Sequence, residues 1–253
     1  MKHPYLDTSS DFKIFAHRGL TYTGNVVTFD ENTIPAFAAA LAAGADYLEL
    51  DVQATKDGVP VVFHDDSLDR VSEQTGQVAD KTWLELQRLK LNLGGTIPTL
   101  DEVLEKFPNA KINIDVKSEA AIPGIASAVV THSATSRVLL TSFSEKRRAK
   151  ALLNIPGTAT SPSAWLMLKI RLGQLLGFGI GRLLSGVDIL QIPVSYGILR
   201  LDSPRFIRSV KRHDVEVIYW TINNPQEALR LRQHGANGIV TDRTDLMVQL
   251  IGR

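Results

Sequence analysis

Short β-rich runs alternate with helical patterns almost from one end of this chain to the other. Eight of these runs predict core strands, at residues 13–17, 47–52, 111–117, 137–141, 158–161, 187–193, 216–222 and 238–241. Several of the intervening segments begin with an Asn, Ser or Thr cap and several end in Gly or Pro, as helices do. Because each intervening helix returns the chain to the same edge of the sheet, the alternation predicts an α/β fold with parallel strands.

Eight core strands without a long linker favour a closed (β/α)₈ TIM barrel over an open doubly wound sheet. A chain of 253 residues commonly forms one such barrel, so we expect a single domain over residues 1–253. The run at 59–64 follows the turn "KDG" too closely for a crossover helix, which predicts a hairpin-like extension. The irregular stretch 65–98 comes next, and we expect a small insertion of roughly residues 57–105 after the second core strand.

Composition disfavours several classes of function. The chain contains no cysteine, which excludes disulfides, thiolate metal sites and a cysteine nucleophile. Its formal net charge of +1 offers no broad electrostatic footprint for nucleic acid, so we expect no nucleic-acid partner. The first dozen residues lack the apolar core of a secretory signal, and a cytoplasmic location is therefore the expectation.

Residues 166–186, "LMLKIRLGQLLGFGIGRLLSG", are apolar but interrupted by Lys169, Arg171 and Arg182. Their longest charge-free part, 172–181, is well short of the roughly 18 residues that a membrane span requires. The segment therefore predicts a barrel helix with its following loop. A weaker alternative is an apolar lip that contacts a lipid-like substrate or a membrane surface.

Polar side chains fall at the carboxyl ends of the predicted strands, where barrels of this kind collect their chemistry. They are His17 and Arg18 in and after the first strand, Glu49 and Asp51 in the second, His64 and Asp65 at the extra run, Asp115 and Lys117 in the third, and Trp220 and Asn223 at the seventh. Residues two apart on a strand point the same way, so each pair of this spacing shares one face.

Two unpaired carboxylates on one inward face are costly, and a divalent cation between Glu49 and Asp51 would offset their repulsion. Asp115 supplies a third oxygen ligand in this interpretation, and oxygen-only ligation favours Mg²⁺, Ca²⁺ or Mn²⁺ over zinc. A metal with two cations beside it, Arg18 and Lys117, is a receptor for a phosphate group.

His17 and His64 would flank such a site, where two imidazoles suit acid–base catalysis near neutral pH. The simpler interpretation is a structural cluster in which Glu49 and Asp51 pair with nearby cations. We favour catalysis, because a buried all-ionic cluster contributes little net stability and two histidines converge on it.

Seven motifs, in this order, resemble those of the glycerophosphodiester phosphodiesterases: "AHRG", "ENT", "ADYLELDVQATKDGVPVVFHD", "IPTLDEVL", "INIDVK", "YWTIN" and "GANGIVTDR". The resemblance extends from residue 15 to about residue 246. It implies a barrel enzyme that uses a divalent metal, Mg²⁺ or Ca²⁺ with Mn²⁺ possible, to split a glycerophosphodiester into glycerol 3-phosphate and an alcohol.

The same resemblance implies a role for each candidate residue. These are His17 and His64 as the acid–base pair, Glu49, Asp51 and Asp115 as metal ligands, Arg18 and Lys117 at the phosphate, Glu31 as a metal neighbour or substrate contact, and Trp220 against the glycerol end. The chain departs from the family at "DVK", where "EIK" is usual and Asp115 is one methylene shorter. It also lacks the proline that usually follows "TD", having Arg243 and Thr244 instead.

Two alternatives stay open beside this one. A related barrel phosphodiesterase would act on lysophospholipids or another lipid-derived phosphodiester, for which the apolar segment 166–186 argues. A non-catalytic phosphate-binding protein of the same fold is disfavoured, because binding alone does not require both histidines. The patterns leave the alcohol group, the choice of metal and the oligomeric state open.

Overall fold

A barrel of eight parallel strands, surrounded by helices, forms the body of the molecule in a computed structural model that describes residues 2–252. In chain order the strands are β1 (Lys13–His17), β2 (Tyr22–Thr23), β3 (Val26–Val27), β4 (Tyr47–Ala54), β5 (Pro60–Val62), β6 (Lys111–Val116), β7 (Val138–Thr141), β8 (Ala159–Thr160), β9 (Ile189–Ile192), β10 (Ser195–Tyr196), β11 (Leu199–Arg200), β12 (Glu216–Tyr219) and β13 (Gly238–Thr241). The helices are α1 (Ile34–Ala42), α2 (Trp83–Leu86), α3 (Leu100–Lys106), α4 (Ala121–Thr131), α5 (Glu145–Asn154), α6 (Ala164–Leu175), α7 (Gly181–Leu184), α8 (Pro204–Lys211), α9 (Pro225–Gln233) and α10 (Thr244–Leu250).

The barrel strands follow the spatial order β8-β7-β6-β4-β1-β13-β12-β9, with β5 as an antiparallel addition to β4. Hydrogen bonds also span the remaining gap between β8 and β9. The Asp188 N–H donates to the Thr160 carbonyl at 3.0 Å, and the Gln191 N–H donates to Ser161 Oγ at 3.1 Å. The (β/α)₈ barrel predicted from the strand–helix alternation is therefore confirmed.

The barrel interior is filled by apolar side chains rather than forming a pore. These are Tyr5, Leu6, Phe15, Tyr47, Leu139, Ala159, Ile189, Ile218 and Val240. Phe15 stacks on Tyr47 with 4.1 Å between ring centroids, and the Tyr47 hydroxyl donates to the Tyr5 carbonyl at 2.9 Å. Because the interior is packed, polar groups have room only at the two ends of the barrel.

A buried ion pair lies at the amino ends of the strands. Lys13 Nζ donates to both carboxylate oxygens of Glu216, at 2.7 and 2.6 Å, and the two residues are 5% and 4% exposed. Removing one partner leaves a buried charge uncompensated, which costs about 3–5 kcal/mol. We expect Glu216→Gln to lower the free energy of unfolding in urea by about that amount.

Glu227→Gln is the matched control for this prediction, because Glu227 pairs with Arg230 on the surface. Such pairs contribute about 0–1 kcal/mol. Equal stability losses in the two variants would contradict the role assigned to the Lys13–Glu216 pair.

The hairpin predicted after the second core strand is present. β5 pairs with the end of β4 through a tight turn in which Gly58 has a φ of 82°, a conformation that favours glycine. The segment that follows packs against Val61 of β5 in a separate apolar cluster, whose other members are Phe63, Leu68, Val78, Leu86, Leu89, Leu91 and Ile97. Helix α3 then returns the chain to β6, so the irregular part of the insertion ends before that helix.

Two short hairpins, β2–β3 and β10–β11, were not predicted, because strands of two residues have no readable periodicity. The segment 166–186 forms most of α6, a loop and α7. Within residues 2–252, no helix combines the length and apolar character needed to cross a bilayer.

Candidate active site

A cavity of about 270 Å³ opens at the carboxyl ends of the barrel strands. Its wall contains all but one of the predicted site residues, namely His17, Arg18, Glu49, Asp51, His64, Asp115, Lys117 and Trp220. Glu31 is the exception, since it does not line the cavity and lies behind Arg18, accepting a 2.9 Å hydrogen bond from Arg18 Nη1. Residues as far apart in sequence as His17 and Trp220 thus line one cavity.

The three predicted metal ligands lie on neighbouring strands. The parallel register of β4 and β6 places Asp51 beside Asp115, and that of β1 and β4 places Glu49 beside His17. All three carboxylate residues are buried, at 8%, 2% and 6% exposure for Glu49, Asp51 and Asp115. The two-residue spacing within "LELD" therefore delivers both of its carboxylates to the inside of the mouth.

The loop after β1 adopts an unusual backbone conformation. Arg18 and Asn32 have φ values of 56° and 57°, which few residues other than glycine adopt. Backbone hydrogen bonds hold this conformation, from the Arg18 N–H to the Glu49 carbonyl at 3.0 Å and from the Asn32 N–H to the Arg18 carbonyl at 2.9 Å. Gly19 is needed next, because a Cβ there would lie 2.7 Å from the Ala36 backbone.

Asp51 is the most heavily partnered carboxylate of the site. Its Oδ1 lies 2.8 Å from Lys117 Nζ, and its Oδ2 lies 3.1 Å from Arg18 Nε and accepts a 3.0 Å hydrogen bond from Asn32 Nδ2. Burial by itself raises the pKa of this carboxyl group, but Lys117 and Arg18 outweigh it and hold the pKa below its usual value. Asp51 is therefore ionised at neutral pH.

Glu49 and Asp115 are less well compensated. Burial, followed by the negative charge of Asp51, raises the pKa of Glu49 to about 7. Burial also raises the pKa of Asp115, even though Lys117 Nζ donates to its Oδ2 at 2.8 Å. Among the described residues, no hydrogen-bond partner reaches the buried Asp115 Oδ1. For these two carboxylates the nearby positive charges do not outweigh burial, and an additional cation would supply the missing compensation.

Oxygen donors of this kind suit Mg²⁺, Ca²⁺ or Mn²⁺. Over residues 2–252, no three acidic or imidazole side chains are grouped closely enough to ligate one ion. Lys117 Nζ instead bridges Asp51 and Asp115, at 2.8 Å from each. The donor chemistry fits a hard divalent cation, and Lys117 is the group that competes with it.

His17 is oriented by a carboxylate that directly follows the last barrel strand, β13. Its Nδ1 lies 2.6 Å from Asp242 Oδ1, and Asn223 Nδ2 donates to Asp242 Oδ2 at 2.6 Å. Burial lowers the pKa of His17, but the bond to Asp242 and the charge of Glu49 outweigh it, and the pKa is raised. Because Nδ1 is engaged, Nε2 is the ring nitrogen that remains for proton transfer.

His64 has the same arrangement, supplied by the insertion. Its Nδ1 lies 2.5 Å from Asp65 Oδ1, and Arg70 Nε donates to Asp65 Oδ2 at 2.6 Å. Arg70 Nη2 also donates to Glu31 Oε1 at 2.5 Å, and Glu31 in turn binds Arg18. A chain of hydrogen bonds thus connects the second histidine to the arginine of the "AHRG" motif.

A pair of amide side chains crosses the barrel at the level of Glu49, one layer below Asp51 and Asp115. Asn113 Nδ2 on β6 donates to Gln191 Oε1 on β9 at 3.2 Å, and both residues line the cavity. Asn113 Oδ1 and Gln191 Nε2 are buried and have no partner among the described residues. The pair therefore offers one acceptor and one donor to whatever enters the cavity.

Sequence reasoning assigned no role to several residues that hold this site together: Asn32, Arg70, Asn113, Gln191 and Asp242. Asn32 lies within the motif "ENT" and Asp242 within "GANGIVTDR", so the sequence indicated these segments but not these two residues. Arg70 and Gln191 had no signal in the sequence, because a single charged or amide residue is common in any segment.

Comparison with known proteins gives matches along nearly the whole chain. Residues 17–246 match the sequence model of the glycerophosphoryl diester phosphodiesterase family. A probable glycerophosphodiester phosphodiesterase 2 from Mycobacterium tuberculosis is 33% identical, over 92% of this chain and 88% of that protein. A human lysophospholipase D is 28% identical, over 96% of this chain and 88% of that protein.

Among solved structures, an Oleispira antarctica phosphodiesterase in complex with the product sn-glycerol-3-phosphate has a TM-score of 0.76 and 25% identity. The match covers 95% of this chain and 97% of that chain. It therefore includes both the barrel and the loops at its mouth.

Proposed function

Because this chain belongs to the glycerophosphoryl diester phosphodiesterase family, we propose that its cavity splits glycerophosphodiesters with the help of a divalent metal and two histidines. The chain is a phosphoric diester hydrolase, and its products are glycerol 3-phosphate and an alcohol. One observation carries the proposal. Two histidines, each with Nδ1 engaged by an aspartate, meet buried carboxylates and two cations in a single cavity.

The charge of the mouth supports a divalent cation. Glu49, Asp51 and Asp115 supply three negative charges when ionised, against two positive charges from Arg18 and Lys117. A phosphodiester adds one negative charge, which leaves two uncompensated, and a divalent ion would balance them. Glu49, Asp51 and Asp115 would hold Mg²⁺ or Ca²⁺, with Mn²⁺ also compatible, and the bound ion would stabilise charge developing on the phosphate oxygens.

Arg18 and Lys117 bind the phosphate in this proposal. Glu31 and Asp51 position Arg18 before substrate arrives, whereas Lys117 lies between Asp51 and Asp115 and would turn to the phosphate when an ion takes its place. Glu31 acts through Arg18, because it lies outside the cavity wall. A preorganised cation such as Arg18 stabilises the transition state without reorganising during the reaction.

The histidines move the protons. One takes a proton from the nucleophile and the other gives one to the departing alcohol oxygen. Asp242 and Asp65 fix the two rings through Nδ1, and Asp242 also stabilises the imidazolium form of His17. The nucleophile is either water or the glycerol 2-hydroxyl, and the second route passes through a cyclic phosphate. Phosphorus NMR of a turnover mixture separates these routes, since only the second gives a cyclic species that forms and decays.

The activity itself is tested by measuring glycerol 3-phosphate release from a panel of glycerophosphodiesters with different alcohol groups. We expect release that stops with a chelator and resumes with added Mg²⁺ or Ca²⁺. Full activity in excess chelator would contradict the requirement for a divalent metal. Absence of release from every member of the panel would contradict the substrate class.

Asp242→Asn should change the pH dependence of the reaction. Asp242 raises the pKa of His17, so its replacement lowers that pKa. We expect one limb of the profile of kcat/KM against pH to move to lower pH, with a smaller maximum. Asp245→Asn is the control, because Asp245 pairs with Arg243 outside the cavity. A profile that coincides with that of the control would refute the coupling.

We propose that Trp220 and the Asn113–Gln191 pair contact the glycerol group. Trp220 offers an apolar face at the mouth, and the amides offer the acceptor and donor that hydroxyl groups require. Gln191→Leu should lower kcat/KM for glycerophosphocholine by about 10-fold or more, the usual effect of losing hydrogen bonds to a buried polar group. The control substrate is bis(p-nitrophenyl) phosphate, which has no glycerol. Equal losses on both substrates would contradict this contact.

Lysophospholipids, or another lipid-derived phosphodiester, are the second candidate substrate class. The cavity wall includes the apolar side chains of Phe143, Met167, Tyr196 and Trp220, and one relative of this chain is a lysophospholipase D. A competition assay with both substrates present decides between the two substrate classes. Lysophosphatidylcholine that outcompetes glycerophosphocholine would favour this candidate.

A further inference from the structure

The surface around α6 exposes large apolar side chains that do not pack against the barrel. On α6 and the loop after it, Trp165 is 61% exposed, Leu176 70% and Phe178 69%. The tip of the β10–β11 hairpin adds Tyr196 at 51% and Ile198 at 99%. Isolated exposed apolar residues are ordinary, but a group of this size on neighbouring elements marks an interaction site.

Helix α6 is apolar on two sides. Its buried side contributes Met167 and Ile170 to the core of the barrel wall. Its outer side presents Trp165, Leu172 and Leu176, which recur at intervals of four or seven residues and share one face with the exposed Lys169. A soluble surface helix normally carries mostly polar residues on that face, so three large apolar side chains beside one lysine favour a second apolar environment for α6.

The hairpin belongs to the same surface. Arg171 Nε on α6 donates to the carbonyl of Arg200 on β11 at 3.0 Å, which ties the two elements together. Met167 of α6 and Tyr196 of the hairpin both line the catalytic cavity. The docking face, defined as Trp165, Leu172, Leu175, Leu176, Phe178, Tyr196 and Ile198, therefore lies at the edge of the active-site mouth.

The charges around the docking face identify its partner. Residues 162–187 contain no Asp or Glu, and their cations are the exposed Lys169 and Arg182 and the buried Arg171. Lys169 Nζ lies 5.4 Å from the centre of the Trp165 ring, and Arg182 is exposed. A second copy of the chain would bring these cations against one another. An anionic bilayer would instead meet them with its head groups and accept the apolar side chains below.

We propose that the docking face inserts shallowly into an anionic lipid bilayer and holds the mouth of the cavity against it. Tryptophan and tyrosine suit the head-group region, because each combines an apolar ring with a polar N–H or O–H group. Binding to the bilayer does not depend on the proposed function. Its consequence for catalysis does, since it would give lipid-derived diesters a short path to the cavity.

The test is co-sedimentation of the full chain with vesicles of phosphatidylcholine, either alone or mixed with phosphatidylglycerol. We expect the protein to pellet with the mixed vesicles and much less with phosphatidylcholine alone. The double variant Leu176→Ser, Phe178→Ser should bind about 10-fold or more weakly, given the free energy of burying such side chains. Lys169→Glu should weaken binding to the mixed vesicles only.

Leu153→Ser is the matched control, because Leu153 is 83% exposed on α5, outside the docking face. The proposal is overturned if the wild-type chain pellets with neither kind of vesicle, or if this control loses as much vesicle binding as the double variant. It is also overturned if sedimentation velocity shows a dimer that the double variant dissociates. Glycerol 3-phosphate release from soluble glycerophosphocholine, measured in parallel, tests the proposed function separately and should be unchanged in the double variant.

Discussion

Replacing His17 by alanine should lower kcat/KM for glycerophosphocholine by about 10²–10⁴-fold, the usual effect of removing a general acid or base. The structure gives the physical reason. The ring faces the cavity, its Nδ1 lies 2.6 Å from Asp242, and its raised pKa suits proton transfer near neutral pH. His64→Ala should cause a loss of similar size, because that ring is held by Asp65 in the same way.

His132→Ala is the control for both histidine variants. His132 lies at the end of α4, where its Nε2 is 3.3 Å from Asp101, and it does not line the cavity. Steady-state kinetics with a saturating metal supply should show wild-type turnover for this variant. Near-normal turnover after His17→Ala would contradict its assigned role. Loss of the folded circular dichroism spectrum would instead indicate a structural role for the histidine.

Asp115→Asn should lower the affinity for a divalent metal by at least about 10–100-fold, which is the loss found when a residue that merely supports a ligand is removed. Asp115 Oδ1 is buried and has no hydrogen-bond partner among residues 2–252, so a cation is the group that would satisfy it. Binding of Mn²⁺ measured by electron paramagnetic resonance gives a readout that does not depend on turnover.

The fold should survive this substitution. Burial raises the pKa of Asp115 in the folded state, so ionisation of this group opposes folding as the pH rises above its unfolded pKa. An uncharged asparagine removes that cost at neutral pH. Asp80→Asn, at an exposed position, is the control. Mn²⁺ binding by Asp115→Asn as tight as that of the control would contradict the ligand assignment.

Asp115→Glu tests the departure from the motif "EIK". The longer side chain restores the residue that is usual in the family at this position. We expect metal binding to be retained, because the carboxylate is kept and only its reach changes. A loss as large as that of the asparagine variant would indicate that the mouth is built around the shorter side chain.

The fold was predictable because its signals are local. Period-two and helical patterns occupy short windows of sequence, and their alternation favours a parallel barrel without reference to distant residues. The hairpin after β4 was predictable for the same reason, from the turn at Gly58. The hairpins β2–β3 and β10–β11 were missed because each of their strands has only two residues.

The sequence predicted which residues line the candidate site but not the groups that orient them. Strand ends and motifs pointed to His17, His64 and the three carboxylates. The partner of His17 is Asp242, which is 225 residues away and reaches it only because β13 closes against β1. Arg70 reaches Glu31 only because the insertion folds over the same mouth.

The sequence by itself determined that this chain forms an α/β barrel and which strand ends carry acids, bases and cations. These are properties of side-chain order along the strands. Tertiary structure alone decided the pKa of about 7 at Glu49, the unpartnered oxygen of Asp115 and the exposure of Trp165 and Leu176. The pKa values depend on burial and on neighbouring charges, and the hydrogen-bond partners and the exposure of side chains depend on which segments pack beside them. Segments distant in sequence determine all of these when the barrel closes.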